Sequence, residues 1–395
     1  MKPRLVTAVL CAAALLLGGC FTFQREAPRP GRTTLEAPLV TVPAVVLGNL
    51  LLVETKWDRH GPYRFLVDTG SSATLVTPEL ARRYAAKNPP PETMPQVRNR
   101  SARGGTALLD TAVISRLEIG DARFEDVRVL VHDCRDLSTH LGVKIDGILG
   151  FPLFRETILT LDYGRAQLLL QPRSAAAVIP PGVTIPFNNE FRTPIIPLKL
   201  GEQGIAALID SGSDAPLSLN LAGLAADFAE LPRPGGAVGT LSGDHLQYIG
   251  RWRQALRIGD YTVERPIVDV TEELSALGGG ILRHFTVTFD QERNQVTFYR
   301  EAPGPVVLPP RRSSGLSFTK HPAYWRVVSV VPDSPAHAAG VQGGDLVTRI
   351  DGEPVAAWNY RRFERLVAGA NEIRFSFLHG NEEITRTLAV FELVP

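Results

Sequence analysis

Two short stretches of this chain repeat one design, and they limit what it can fold into more than any other feature. Phe65-Leu66-Val67-Asp68-Thr69-Gly70-Ser71-Ser72 and Ala207-Leu208-Ile209-Asp210-Ser211-Gly212-Ser213 each carry three apolar residues into an aspartate, followed by hydroxyl residues around one glycine. Three apolar residues without alternation predict a strand covered on both faces. The glycine suits a tight turn or a close backbone approach, because it lacks a Cβ. Thr69, Ser71, Ser211 and Ser213 supply hydroxyls that hydrogen-bond a carboxylate or the neighbouring backbone. Either stretch alone also reads as an ordinary surface turn. The pair, in matching surroundings, predicts two carboxylates held at the ends of rigid strands and so positioned for chemistry.

The surroundings do match. With Asp210 placed on Asp68, Leu117-Glu118-Ile119-Gly120-Asp121 finds Leu256-Arg257-Ile258-Gly259-Asp260. Gly147-Ile148-Leu149-Gly150 falls on Gly280-Ile281-Leu282-Arg283, and Thr160-Leu161-Asp162-Tyr163 on Thr288-Phe289-Asp290-Gln291. Four matching elements in one order predict the duplication of a single unit. With 35 Gly and 31 Pro among many Val, Leu, Ile and Thr, that unit is expected to be mainly β, with few and short helices. A chain of 395 residues has room for two or three such domains. Its 42 Lys and Arg balance 41 Asp and Glu, so nothing in the overall charge suits a nucleic acid or another polyanionic partner.

Residues 1–19 read as a signal segment. Lys2 and Arg4 begin it, Leu5 to Leu17 is an apolar run too short for a typical membrane span, and Leu17-Gly18-Gly19-Cys20 closes it. This resembles the bacterial lipoprotein signal, which implies cleavage before Cys20 and lipid on its sulfur, anchoring the protein to a membrane without spanning it. Phe21 stands where an acidic residue would resemble an inner-membrane retention signal, so the expected place is the cell envelope, on the periplasmic side of the outer membrane. Residues 20–34 read as a tether, 35–172 as the first unit, 183–300 as the second, and 313–395 as a different third module, with proline-rich linkers between. Cys11 goes with the signal and Cys20 carries lipid, which leaves Cys134 without a disulfide partner, as a small core or surface residue.

The doubled Asp68-Thr69-Gly70 and Asp210-Ser211-Gly212 pattern, with Ile148-Leu149-Gly150 downstream of the first, resembles the pepsin and retropepsin superfamily of aspartic proteases, here with two lobes fused over residues Leu35 to Tyr299. The resemblance implies one carboxylate per lobe, Asp68 and Asp210, meeting over a shared water. Two like charges at about 3 Å share one proton and titrate as a pair. The ionised member activates water, its protonated partner donates to the developing oxyanion, and neither metal nor cofactor is needed. Thr69 and Ser211 then brace the two loops, with Gly70, Ser71, Gly212 and Ser213 beside them. Flaps are expected at Arg100 to Thr106 and Val238 to His245. Arg283 departs from the pattern by standing where the second lobe should have a glycine, which means either a locally altered lobe or a match shifted by a few residues at Gly278-Gly279-Gly280. A guanidinium beside the carboxylates would keep both ionised. That feature favours a rival reading, a catalytically inactive peptide-binding scaffold of the envelope.

In the last module, Gly315-Leu316-Ser317-Phe318, Val327 to Ala336, Ala339-Gly340-Val341, Gly344-Asp345 and Ile350-Asp351-Gly352 together resemble a PDZ domain. The resemblance implies that Gly315 to Phe318 receive a peptide's terminal carboxylate, the peptide adding as a strand against a helix at about Asn359 to Val367. Polypeptide substrates and a C-terminal peptide ligand are the expected partners. His132, Asp133, Cys134, Asp136 and His140 match no zinc spacing and read as a polar loop. Gly278-Gly279-Gly280 lacks the lysine of a phosphate loop and reads as a turn.

Overall fold

The computed structural model describes residues 31–57, 60–87, 96–100, 106–174, 177–240 and 243–395. The expected signal over 1–19, Cys20, the tether as far as residue 30 and the expected flap tips at 101–105 and 241–242 lie outside these residues. Among the described residues no helix is long and apolar enough to cross a membrane.

The molecule is mainly β, as its composition requires. The strand His60–Asp68 lies between Leu50–Trp57, antiparallel, and Gly147–Gly150, parallel, with Asp68 level with Gly150. After the aspartate turn, Thr74–Val76 runs antiparallel to Gly147–Gly150 and parallel to Ala122–Val131. The second lobe repeats this. Gln203–Asp210 lies between Ile195–Leu200, antiparallel, and Ala276–Gly278, parallel, with Asp210 level with Gly278. Leu217–Asn220 then runs antiparallel to Ala276–Gly278 and parallel to Ile267–Thr271. The apolar runs are buried as their lack of alternation predicts: Phe65, Val67, Ala207 and Ile209 are fully enclosed. Gly120 and Gly259, matched in the repeat, both turn the chain at φ 56°.

One match in the repeat is corrected. The counterpart of Gly150 is Gly278, not Arg283, because register is set by pairing with the aspartate strand rather than by likeness of the tetrapeptides. A Cβ on Gly150 would lie 2.3 Å from the carbonyl oxygen of Ala73, and one on Gly278 would lie 2.2 Å from that of Ala215. Both lobes therefore keep a glycine where strand and turn pack backbone to backbone. Arg283 instead closes the short helix Gly279–Leu282.

The lobes are joined by a sheet. Thr157–Asp162 pairs antiparallel with Thr286–Asp290, Thr160 lies opposite Thr288, and their hydroxyls are 2.9 Å apart. These threonines are counterparts in the repeat, so the axis relating the lobes passes between them. Val183–Pro186, just after the proline-rich linker, extends this sheet by pairing with Gln295–Tyr299. Segments read as connecting chain are also tied down. Thr33–Leu35, at the end of the expected tether, pairs with Ala122 to Phe124. Val306–Val307 adds to the second lobe beside Val263 and Glu264, and Arg311–Ser313 pairs with Phe391–Val394. Sequence patterning misses such pieces because edge strands need only free backbone groups, not an apolar period.

The third module has a core of its own. Leu316–Lys320, Trp325–Val330, Leu346–Ile350, Glu372–His379 and Glu382–Ala389 form its sheet, and the helix Tyr360–Gly369 covers it. Asn359 caps that helix, its side-chain oxygen accepting from the Arg362 N–H at 2.9 Å. Phe363 on the helix packs edge-on against Phe318 and Trp325.

Candidate active site

The two aspartate turns hold each other. Thr69 Oγ1 donates to the Ile209 carbonyl at 2.7 Å and accepts from the Ser211 N–H at 3.0 Å. Ser211 Oγ donates to the Val67 carbonyl at 2.8 Å and accepts from the Thr69 N–H at 3.0 Å. Both residues are buried, and each hydroxyl both donates to the other lobe and accepts from it. This is why a hydroxyl follows each aspartate. The glycines that come next have an equally specific reason. A Cβ on Gly70 would lie 2.6 Å from Cγ of Asp210, and one on Gly212 would lie 2.4 Å from Cγ of Asp68. Each carboxyl thus rests over the other lobe's glycine.

The carboxyls are held from their own loops as well. Asp68 Oδ1 accepts from the Ser71 N–H and Asp210 Oδ1 from the Gly212 N–H, both at 2.9 Å. The Ser71 hydroxyl donates to the Ala73 carbonyl at 2.8 Å, bracing the turn. Burial pushes the Asp68 carboxyl well above the usual carboxylate range, and the charge of Asp210 and a hydrogen bond to it add to the shift. Burial also raises Asp210, while the Gly212 amide, the bond from Asp68 and the Ser213 amide restrain it. The pair keeps one proton between its members to higher pH than isolated carboxyls would. A carboxylate beside a carboxylic acid can take a proton from one group and give one to another at the same time.

The pair lies in a cleft of about 1450 Å³ bounded by both lobes and by the third module. The hairpin of Gln96–Arg100 with Thr106–Ile119 supplies Leu109 to its wall, and the hairpin of Arg233–Thr240 with Gly243–Arg251 supplies Ala237 and Gln247. The expected flaps fall at the ends of these hairpins, with residues 101–105 and 241–242 outside the described ones.

Arg283 lines the cleft, and its guanidinium donates to Oδ1 of Asn49 at 2.9 Å. The guanidinium on which the inactive-scaffold reading rests is thus engaged by Asn49. Sequence reasoning missed a second bridge between the lobes: Asn49 donates its N–H to Oδ1 of Asp214 at 2.7 Å and its side-chain amide to the Asp214 carbonyl at 2.8 Å. It also missed Tyr360 and Glu364, which reach the cleft from the third module. Glu364 is pushed up to about 7, first by burial and then by the charge of Asp214, with Tyr360, Arg311 and Arg283 opposing. No local motif marks these residues, because each matters only through a partner far away in sequence.

The expected carboxylate loop is present as a turn. Gly315 has φ 81°, and a Cβ there would meet the Ser334 hydroxyl at 2.7 Å. Leu316 and Phe318 are buried, and Ser317 Oγ accepts from the Ala237 N–H at 3.1 Å. The polar loop read at His132 to His140 is partly helical. Asp133 pairs with Arg135 at 2.6 Å, and Cys134 is buried, its thiol pushed up to about 12 chiefly by that burial. Among the described residues no group of three or more His, Cys, Asp and Glu is placed to hold a metal ion.

Residues 53–153 match the aspartyl protease family and residues 326–376 match a PDZ domain. The chain thus carries an aspartyl protease domain followed by a PDZ domain. The first match takes in Asp68 and Gly150; Asp210 is tied to it by the repeated topology and the shared grip. A protein of Clostridium perfringens (strain 13 / Type A) named as a putative zinc metalloprotease is 32% identical over 74 residues, 19% of this chain and 22% of that protein. The chain therefore spans about a fifth of the curated relative it matches.

Proposed function

We propose that this protein is a membrane-tethered aspartic endopeptidase that cleaves extended polypeptides, with Asp68 and Asp210 as its catalytic pair and the PDZ domain as its site for substrate or partner C-termini. The observation that carries this reading is the reciprocal grip of Thr69 and Ser211, which fixes each carboxyl over the other lobe's glycine. A water between the carboxyls gives its proton to the ionised member as its oxygen attacks the peptide carbonyl carbon. The protonated member donates to the carbonyl oxygen, giving a neutral gem-diol. When the C–N bond breaks, the protonated member gives its proton to the leaving nitrogen while the ionised member takes one hydroxyl proton of the gem-diol, which leaves a carboxylic acid, an amine and one proton on the pair. Gly70, Ser71, Gly212 and Ser213 hold the carboxyls through backbone amides, and the two hairpins close over an extended chain.

The anchor belongs to the same proposal: lipid on Cys20 holds the enzyme at the envelope, on the periplasmic side of the outer membrane. Cys20→Ala is then expected to move the protein from the membrane fraction to the soluble one.

The main test is cleavage of an unfolded protein such as reduced casein, with and without a statine-type inhibitor. Wild-type protein should cut and the inhibitor should stop it. Asp68→Asn and Asp210→Asn should each lower the rate by on the order of 10³-fold, the scale of lost acid–base catalysis. Undiminished cutting by either folded variant would end the proposal.

A further inference from the structure

The PDZ domain touches both lobes across the catalytic cleft. On the first lobe, the Lys320 ammonium donates to the His140 carbonyl, and the Tyr360 ring lies where a Cβ on Gly48 would be 3.1 Å away. On the second, Ser317 Oγ and Ser329 Oγ both accept from the Ala237 N–H, and Arg251 donates to the carbonyls of Leu308 and Pro309, just ahead of the domain. Ser313, Leu316, Phe363 and Val367 therefore line the same cleft as Asp68 and Asp210.

The groove on that wall can accept a strand. Among the described residues Leu316–Lys320 pairs with one strand, Trp325–Val330, so its other edge has no strand partner, and the first lobe's helix Arg135–Leu141 packs near it. Arg312 lines the same cleft and donates to the Ala368 and Ala370 carbonyls at the end of the helix Tyr360–Gly369 away from Tyr360, so it brings positive charge to the loop end of the groove for a terminal carboxylate. A strand with its carboxylate at Gly315 runs along the groove toward Lys320 and Tyr360. That end of the groove adjoins the second lobe's catalytic loop, since Gly48 is flanked by Tyr360 and by Asp214, which follows Ser213 directly. The Lys320 ammonium lies 5.0 Å over the Tyr360 ring, joining strand to helix at this mouth. A long flexible side chain there can swing aside for a substrate.

We propose that the groove and the aspartate pair hold one and the same chain: the substrate's own carboxyl terminus sits at Gly315 to Phe318 while the bond to be cut, a short fixed distance upstream, lies over Asp68 and Asp210. The preferred substrates are polypeptides with a free, unfolded C-terminal tail, and the reaction is C-terminal trimming. The groove strand has five residues, a span of roughly 17 Å at the usual strand rise, so the cut falls within about ten residues of the terminus. This inference rests on the protease reading above.

The test uses the full-length protein in detergent and degenerate 20-residue peptides made both as free acids and as C-terminal amides, with cut positions read by mass spectrometry. The acids should be cut within about ten residues of the terminus. The amides should be cut about tenfold or more slowly, having lost charge-assisted hydrogen bonds to the carboxylate. Arg312→Ala should narrow the difference between acid and amide. Equal rates and scattered cuts in the two sets would overturn C-terminal anchoring and leave the protease standing. No cutting of peptides or of casein by folded protein would overturn both.

Discussion

Asp68 and Asp210 lose solvent and gain each other's charge, so the folded pair binds a proton more tightly than the same side chains in an unfolded chain. The pair therefore favours the folded state below the unfolded pKa, and that contribution is lost as pH rises through the higher folded value. Asp68→Asn should raise the melting temperature at about pH 7 and change it little at about pH 4, as read by calorimetry. Activity should fall on the alkaline side once the shared proton leaves, at a pH above that of an ordinary carboxylate. The neighbouring hydroxyl matters to stability at any pH. Removing it from Thr69 orphans the buried Ile209 carbonyl and Ser211 N–H, at about 1–3 kcal/mol each, so Thr69→Ala should cost about 2–5 kcal/mol in urea unfolding. Thr69→Ser should recover most of it, since either residue presents the same hydroxyl.

The strands Gly147–Gly150 and Ala276–Gly278 do the same work in the two lobes: each ends in a glycine pressed on a carbonyl of the turn beyond the aspartate. Gly150→Ala and Gly278→Ala should each destabilise by about 3 kcal/mol or more, and by similar amounts, because backbone must move in both. Arg283→Gly, at an exposed helix end, should change stability by less than about 1 kcal/mol. The helix Tyr360–Gly369 carries a different dependence. Glu364 faces Asp214 from the catalytic loop, Arg311 from the strand before the domain, Arg283 from the second lobe and Tyr360 on its own helix, and it is raised to about 7. Docking of the domain is fully favoured below the ordinary glutamate range and weakens as pH rises through about 7. Small-angle scattering should show the molecule expanding over that interval, and Glu364→Gln should remove the change.

On the scale of the whole molecule, connecting segments have become structural. Arg251 is buried and gathers the carbonyls of Arg265, Leu308, Pro309 and Pro395, binding the second lobe to the chain ahead of the PDZ domain and to its last residue. Arg251→Ala should speed tryptic cutting at Arg311 and Arg312, while the pH dependence set by the aspartate pair stays where it was. The same gathering explains what the sequence leaves unreadable. Asp68, Asp210 and their hydroxyl neighbours could be found because a buried strand, a tight turn and their repetition are local patterns. Asn49, Asp214, Tyr360 and Glu364 could not, because none sits in a pattern and each acquires its role from a partner more than a hundred residues away.

Taken alone, the amino-acid order determined a duplicated β unit with one aspartate per copy, a PDZ-like module after it, and the glycine turns both require, since apolar period and turn chemistry are written within a few residues. Tertiary structure alone decided that Gly278 rather than Arg283 matches Gly150, that the lobes share a sheet through Thr160 and Thr288, and that the PDZ domain walls the cleft. Those outcomes depend on strand register and on burial between distant segments, and both are settled only when the whole chain packs.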